Sequence, residues 1–146
     1  MCIRDRLWSG IEKSGEDPVL LNNLAYAYLM NGQPAEARPL IDRMPDNTGN
    51  EVITTATKGL LLLWEGNYAE GTSDYEAAEK LASSLGNRAL MYNVRQKKFL
   101  ELAKAYIRAN DVPRAKEALE AGLKVPDIKT TYRYKAELEE LFIELM

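Results

Sequence analysis

Three short turns divide most of this chain into pairs of helices. Each turn follows an apolar helical stripe and is followed, five residues after its central residue, by a small residue. The turns are Asn31-Gly32, Glu65-Gly66-Asn67 and Asn110-Asp111, and the small residues are Ala37, Gly71 and Ala115. Glycine and asparagine end helices because they tolerate the left-handed backbone conformation found at helix C-termini. The spacing therefore predicts a stack of repeated antiparallel helix pairs.

The segments between the turns carry apolar residues at helical spacing. One face of the first predicted helix is formed by Leu21, Leu24, Ala25, Tyr28 and Leu29. Asp17 is a suitable N-cap for this helix, and Pro18 suits its first position. The same patterns predict helices over about 18–30, 34–44, 51–65, 68–84, 88–109, 113–124 and 130–145. No segment alternates as a half-buried strand does, so the predicted fold class is all-α.

Small residues recur in pairs that are twelve residues apart, one on each side of a turn. The pairs are Ala25 with Ala37, Gly59 with Gly71, and Ala103 with Ala115. Two antiparallel helices approach closely only where the residues at their crossing lack bulk. In two of the units a third small residue, Ala78 or Gly122, follows seven residues later. The pattern predicts tight crossings within each hairpin.

The residue types that the chain contains and lacks limit the classes of function that are expected of it. The chain has no histidine, which removes the commonest general base and the nitrogen ligand of zinc. Its single cysteine, Cys2, cannot form an internal disulfide. The sequence contains no phosphate-binding loop, catalytic carboxylate pair or nucleophile motif. We therefore predict a non-enzymatic protein that uses no cofactor and no metal.

The charge and the hydropathy of the chain limit the kinds of partner that it is expected to bind. The net charge is −3 and the pI is near 5.2, whereas nucleic-acid binding needs clustered Lys and Arg. No stretch approaches the roughly 20 apolar residues of a membrane span. We predict a partner that is neither nucleic acid nor membrane, and we assign the cytoplasm only by default.

The N-terminus has an unusual sequence. Residues 1–6, Met-Cys-Ile-Arg-Asp-Arg, resemble the translation of a sequencing-library transposon end. We expect these residues to be a scar that replaces the natural start. Residues 7–14 then read as the tail of a preceding helix. A reading frame that continues upstream in genomic DNA would support this interpretation.

With its turns and small residues, the chain resembles tetratricopeptide repeat (TPR) proteins, whose 34-residue unit is a helix–turn–helix. The first unit matches through Leu24, Ala25, Tyr28, Gly32, Ala37 and Ile41. The second matches through Gly59, Leu62, Gly66, Tyr68, Gly71, Tyr75 and Ala78. The third matches through Leu102, Ala103, Tyr106, Ala115, Leu119, Gly122 and Leu123. The resemblance implies a right-handed α–α superhelix of about three hairpins over 18–127, closed by a capping helix over 128–146.

The chain departs from the family pattern at several points. Met44 replaces a small residue, Asn110 replaces the turn glycine, and Pro39 lies inside a helix. An internal proline removes a backbone hydrogen bond at a cost of about 3 kcal/mol, so we expect that helix to be short or kinked. Ten extra residues separate the second and third turns. We expect them to lengthen the fourth and fifth helices.

In this family the first helix of each pair lines a concave groove. The resemblance implies a peptide-binding groove formed by Asn22, Tyr26, Met30, Ala56, Leu60, Trp64, Lys97, Lys104 and Arg108. Such a groove would be apolar with a basic end, which suits a helix or an extended peptide with an acidic flank. The alternative for Leu60 and Trp64 is a core position, because residues 60–64 are apolar all round.

The chain has one basic cluster, formed by Arg95, Lys97, Lys98, Lys104 and Arg108. Glu101 lies at helical spacing from three of these residues, which favours a solvated face neutralised by pairs within the helix. Some TPR domains bind carboxylate tails through a clamp of two Lys, two Asn and one Arg. At those positions this chain has Asn22, Tyr26, Thr57, Lys97 and Glu101. Because Glu101 would repel a carboxylate, that specific function is not expected.

The leading hypothesis for the function is a protein-interaction scaffold that binds a peptide or helix in the concave groove. The second is the accessory region of a larger enzyme or transcriptional regulator whose effector domain lies upstream, which recovery of the upstream reading frame would reveal. The third is self-association through an N-terminal end on which Trp8 and Leu21 would be partly uncovered. Light scattering at high protein concentration tests the third.

Overall fold

The computed structural model describes residues 17–45, 48–126 and 132–146, and for residues 132 and 133 it describes the backbone only. The predictions for residues 1–6 and 7–14, and the exposure of Trp8, lie outside these residues. The described part contains seven α-helices and no strand, which confirms the all-α fold. The helices are α1 Pro18–Met30, α2 Pro34–Asp42, α3 Glu51–Trp64, α4 Tyr68–Ser84, α5 Arg88–Arg108, α6 Val112–Leu123 and α7 Tyr132–Leu145.

The helix boundaries follow from local sequence. Asp17 Oδ1 accepts a hydrogen bond from the Val19 N–H at 2.9 Å, which caps α1 as predicted. The helix α2 continues through Pro39 but has only nine residues, in line with the predicted short helix. The inserted residues between the second and third turns lengthen α4 to 17 residues and α5 to 21 residues.

Four turns end helices with one backbone geometry. The left-handed residues at these four turns are Gly32, Gly66, Gly86 and Asn110. At Gly66, the Asn67 N–H donates to Leu62 O at 2.9 Å, and the equivalent bond at Asn110 joins the Asp111 N–H to Tyr106 O at 2.8 Å. Both bonds satisfy a carbonyl of the last helical turn. Asn110, with φ 59°, therefore ends α5 in the same way as glycine ends α1, α3 and α4.

The predicted crossings of small residues are present. A Cβ atom added at Gly59 would lie 2.9 Å from Gly71 O, and one added at Gly71 would lie 2.9 Å from Gly59 O. The backbones of α3 and α4 are therefore in direct contact. Ala103 and Ala115, at the equivalent positions of α5 and α6, are both fully buried.

The helices form two layers. Each odd-numbered helix contacts the next, so that α1, α3, α5 and α7 form one layer. The even-numbered helices α2, α4 and α6 each pack between the two odd-numbered helices adjacent in sequence. Within the described residues, the even-numbered helices do not contact one another. This arrangement is a helical repeat in which one layer, the odd-numbered helices, faces a common concave surface.

Two apolar clusters hold the layers together. The first extends from α1 to α5 and includes Leu21 and Leu60, and the second joins α5, α6 and α7 around Leu100 and Leu138. Leu102 packs against both clusters. The prediction that Leu21 is partly uncovered is wrong, because this side chain is 0% exposed within the first cluster.

None of the helices described is both long and apolar enough to cross a bilayer.

Candidate functional site

A cavity of about 230 Å³ opens on the concave surface of the odd-numbered helices. It is lined by side chains of α1, α3, α4, α5 and α7. Five of the predicted groove residues line it, namely Asn22, Tyr26, Ala56, Leu60 and Lys97. The other lining residues are Asn23, Ile53, Thr57, Tyr75, Asn93, Val94 and Tyr134. We refer to this feature as the concave cavity.

The walls of the concave cavity are mainly apolar and largely fixed by the core. Leu60 and Tyr75 are each only 1% exposed. Tyr75 reaches the cavity from α4 because Gly59 has no side chain: a Cβ atom added there would lie 3.0 Å from the Tyr75 ring. Leu60 thus combines the predicted groove position with the alternative core position.

Asn22 lines the cavity, and its side chain carries a buried hydrogen-bond acceptor. Its side chain is more than nine-tenths buried, and Oδ1 has no hydrogen-bond partner among the described residues. The neighbouring hydroxyl of Thr57 is satisfied differently, since it donates to Ile53 O at 3.0 Å. An unpaired buried acceptor is costly, and native proteins carry few of them. Asn22 Oδ1 is therefore an unpaired acceptor inside the protein, with less than 1 Å² of accessible surface.

Lys97 brings a positive charge to the same wall. Its Nζ lies 2.9 Å from Glu101 Oε1, 5.7 Å from the ring centre of Tyr26 and 5.2 Å from that of Tyr134. Burial disfavours the charged lysine, but the negative charge of Glu101 and its hydrogen bond outweigh burial and raise the pKa of Lys97. Lys97 is therefore a cation at neutral pH, and it links α1, α5 and α7.

The remaining predicted groove residues lie away from the concave cavity. Met30, Trp64 and Arg108 lie at the C-terminal ends of α1, α3 and α5. The guanidinium carbon of Arg108 lies 3.5 Å from the ring centre of Trp64, while Met30 is 49% exposed. Lys104 takes part in a charge network, with its Nζ 3.5 Å from Glu101 and 3.3 Å from Glu137. The predicted set thus divides between the cavity and the helix ends.

The prediction of a solvated basic face is wrong for part of the cluster. Lys97 and Lys104 pair with Glu101 as predicted. Lys98, however, is buried, and its Nζ lies 3.2 Å from Glu79 of α4. Arg95 Nε donates to the same carboxylate at 2.7 Å. The lengthened helices α4 and α5 are therefore joined by a buried charge cluster that spacing within one helix does not reveal.

Several cavity residues escaped the reasoning from sequence. Ile53 and Val94 lie one helical turn from predicted groove residues, so the helical period could have identified them. Thr57 was named at a clamp position but not among the groove residues. Tyr75 lies on an even-numbered helix. Tyr134 lies on α7, which the sequence predicted as a cap. The last described helix thus packs against α5 and α6 and also completes the wall of the concave cavity.

The architecture, with its concave layer and repeated turns, is that of the helical-repeat class of proteins. A family model described as "Tetratricopeptide repeat" matches residues 7–38, which include α1 and the first half of α2. Together with the repeated hairpins of the fold, this match supports the resemblance to tetratricopeptide repeat proteins. Proteins of this family generally mediate protein–protein interactions and are typically not catalysts. Comparisons with curated proteins and with solved structures found no match.

Proposed function

We propose that this chain is a protein-interaction scaffold whose concave surface binds an extended segment of a partner protein, with one side chain entering the concave cavity. The observation that carries the proposal is the mainly apolar concave cavity, which has Asn22 and Lys97 among its lining residues. A few polar groups placed in an apolar concavity are what ligand sites require. The family's general role in protein interactions makes a protein partner the best candidate.

The size of the cavity favours a single side chain over a small-molecule ligand. Its volume of about 230 Å³ lies below the roughly 300–1,000 Å³ of small-molecule sites. A peptide strand that delivers one side chain here would run along the odd-numbered helices. Met30, Trp64 and Arg108 at the helix ends then offer a second contact region. The same surface would serve a free-standing scaffold or the accessory region of a larger enzyme or regulator.

Peptide selection followed by site-directed blocking tests this proposal. Peptides selected from a displayed random library are titrated against the purified chain by calorimetry. Ala56→Phe fills the cavity from α3, and we expect it to weaken binding at least tenfold, as loss of a central contact does. The matched control is Ala77→Phe, because Ala77 is an exposed alanine of α4 that does not line the cavity. Peptides that bind both variants as tightly as the parent would place the binding surface elsewhere.

A further inference from the structure

The second contact region, formed by Met30, Trp64 and Arg108, lies at the C-terminal ends of α1, α3 and α5. We propose that the Arg108 guanidinium, stacked on the Trp64 ring, binds the side-chain carboxylate of an Asp or Glu on the partner segment. This acidic residue lies about five positions from the one that enters the concave cavity. The inference rests on the proposed function, since it names the charge that the partner segment carries.

The Trp64 ring supports Arg108 from one face. The guanidinium carbon of Arg108 lies 3.5 Å from the ring centre. At this distance the flat guanidinium lies along the ring, because an N–H group pointed at the ring would keep the carbon farther away. The edge of the same ring lies near the α1–α2 turn, where a Cβ atom added at Gly32 would lie 3.8 Å from Trp64 Cη2. The ring is thus held close to both α5 and the α1–α2 turn, and it orients the guanidinium.

Stacking leaves the hydrogen-bond donors of Arg108 unused. A guanidinium stacks through its face, whereas its N–H donors lie in its plane, at the edge. Among the described residues, Arg108 makes no hydrogen bond and no ion pair. The residue is also exposed, so a ligand can reach these donors. Arg108 therefore presents an oriented, charged donor edge on the surface.

The acidic residues of the surrounding helices already have partners. Glu65, which follows α3, accepts a hydrogen bond from Arg38 Nε at 3.0 Å. Asp111 caps α6, and Glu101 pairs with two lysines of α5. None of these three carboxylates is left for Arg108, so charge complementarity calls for an acidic group on the partner.

Arg108 lies on the same side of α5 as the concave cavity. It follows Lys97, a cavity residue, by about three helical turns, or about 16 Å. Because whole turns return to the same side of a helix, both residues face the concave layer. An extended strand covers this distance in about five residues. One partner segment can therefore fill the cavity and reach Arg108 with an acidic side chain.

The site suits an acidic side chain better than a chain terminus. Capture of a terminal carboxylate uses a nest of backbone N–H groups. The helix ends around Arg108 are C-terminal ends, whose backbone presents carbonyl groups instead. Arg108 also lies about two turns beyond Glu101, the last of the clamp positions, where a carboxylate would be repelled. The site is therefore distinct from a clamp for carboxylate tails.

A double-mutant cycle tests the inference. The probe is the tightest selected peptide that Ala56→Phe weakens, synthesised with an amidated C-terminus. In matched probes, each Asp or Glu is replaced singly by the corresponding amide. On the parent chain, we expect one such replacement to weaken binding about tenfold, as loss of a bidentate charge pair does. On Arg108→Gln, the same two probes should bind within about twofold of each other.

The matched control for the loss of charge is Arg88→Gln. Arg88 is an exposed arginine at the opposite end of α5. If the carboxylate pairs with Arg108 itself, Arg88→Gln keeps the tenfold preference for the acidic probe. An equal loss of preference in both variants would mean that only the overall charge of the chain matters, and it would overturn the inference.

An NMR signal shows whether the contact is direct. The side-chain Nε–H signal of Arg108 is identified by its absence from the spectrum of the ¹⁵N-labelled Arg108→Gln variant. We expect the acidic probe to shift this signal at saturation and the amide probe to shift it less. An arginine that only covers Trp64 would respond equally to both probes, and that result would contradict the proposed pair.

Other outcomes also overturn the inference. Selected peptides without Asp or Glu, or a preference for the acidic probe that persists in Arg108→Gln, would show that Arg108 does not bind a partner carboxylate. Selected peptides that bind only with a free C-terminal carboxylate would make a chain terminus the ligand. In these cases the proposed function stands as long as Ala56→Phe weakens binding. If every selected peptide ignores Ala56→Phe, the proposed function itself fails.

Discussion

The hairpins α3–α4 and α5–α6 cross at the same distance from their turns but with different residues. In the first, Gly59 and Gly71 bring the two backbones into contact, and a Cβ atom on either glycine would lie 2.9 Å from a backbone oxygen of the other. In the second, Ala103 and Ala115 occupy the equivalent positions and are fully buried with their methyl groups. The two crossings therefore lie at the same distance from their turns. The residues at the first crossing have no side chain, whereas those at the second have methyl groups.

The difference matters for the candidate site, because the glycine crossing lies beside the concave cavity. Gly59 allows the Tyr75 ring to approach within 3.0 Å of where a Cβ atom would be, and Tyr75 forms part of the cavity wall. The alanine crossing is buried between α5 and α6, and neither alanine lines the cavity. We therefore expect changes at Gly59 to affect both folding and binding, and changes at Ala103 to affect mainly folding.

The largest expected effect is that of Gly59→Leu. The new side chain would overlap a backbone oxygen, which cannot move without separating α3 from α4. We expect a loss of more than about 3 kcal/mol in the free energy of unfolding, above the usual cost of overpacking. Urea denaturation followed by circular dichroism measures it. The control is Ala77→Leu on the exposed side of α4, which should change stability by less than about 0.5 kcal/mol. Equal stabilities of the two variants would contradict the backbone contact.

A smaller loss is expected for Ala103→Leu. Both helices already carry methyl groups at this crossing, so we expect more room between their backbones than at the glycine crossing. We expect the variant to fold with a loss of about 2–3 kcal/mol, within the usual range for overpacking. A loss as large as that of Gly59→Leu, measured in the same urea series, would show that the two crossings are equally tight.

The parts of the fold that follow from local sequence were predictable. A turn residue such as Gly66 sets its own backbone conformation, and the crossing at Gly59 requires only that bulk be absent. Both features are properties of short segments. The helix ends, the all-α fold and the small-residue crossings therefore followed from the sequence.

The candidate site was only partly predictable, because its properties depend on how separate helices meet. Nothing near Asn22 in the sequence indicates that its oxygen is buried without a partner. Tyr134 reaches the cavity only because α7 stacks on α5, and Lys98 meets Glu79 only because α4 packs along α5. Spacing within one helix predicted the Lys97–Glu101 pair but not these contacts between helices.

The next effect in size is that of Ala103→Gly, which makes the second crossing resemble the first. Glycine in a helix costs about 1 kcal/mol relative to alanine, and the buried methyl group is lost as well. We expect a loss of about 1–2 kcal/mol in the free energy of unfolding. Binding of the selected peptides at the concave cavity should not change, since Ala103 does not line it. A gain in stability would mean that the methyl group strains the α5–α6 crossing.

The smallest effect, and the only stabilising one, is expected for Asn110→Gly. Asn110 adopts the left-handed backbone conformation with φ 59°. Gly66 adopts the same conformation, with φ 86°, at the equivalent turn of the α3–α4 hairpin. Glycine adopts this conformation without the steric cost that a Cβ atom imposes, although it gains entropy in the unfolded chain. We expect a net gain of about 0.5 kcal/mol, and the reverse change Gly66→Asn should cost a similar amount. Both are measurable by urea denaturation against the parent chain. If Gly66→Asn costs nothing while Asn110→Gly destabilises, the α5–α6 turn depends on the asparagine side chain, and the two turns are not equivalent.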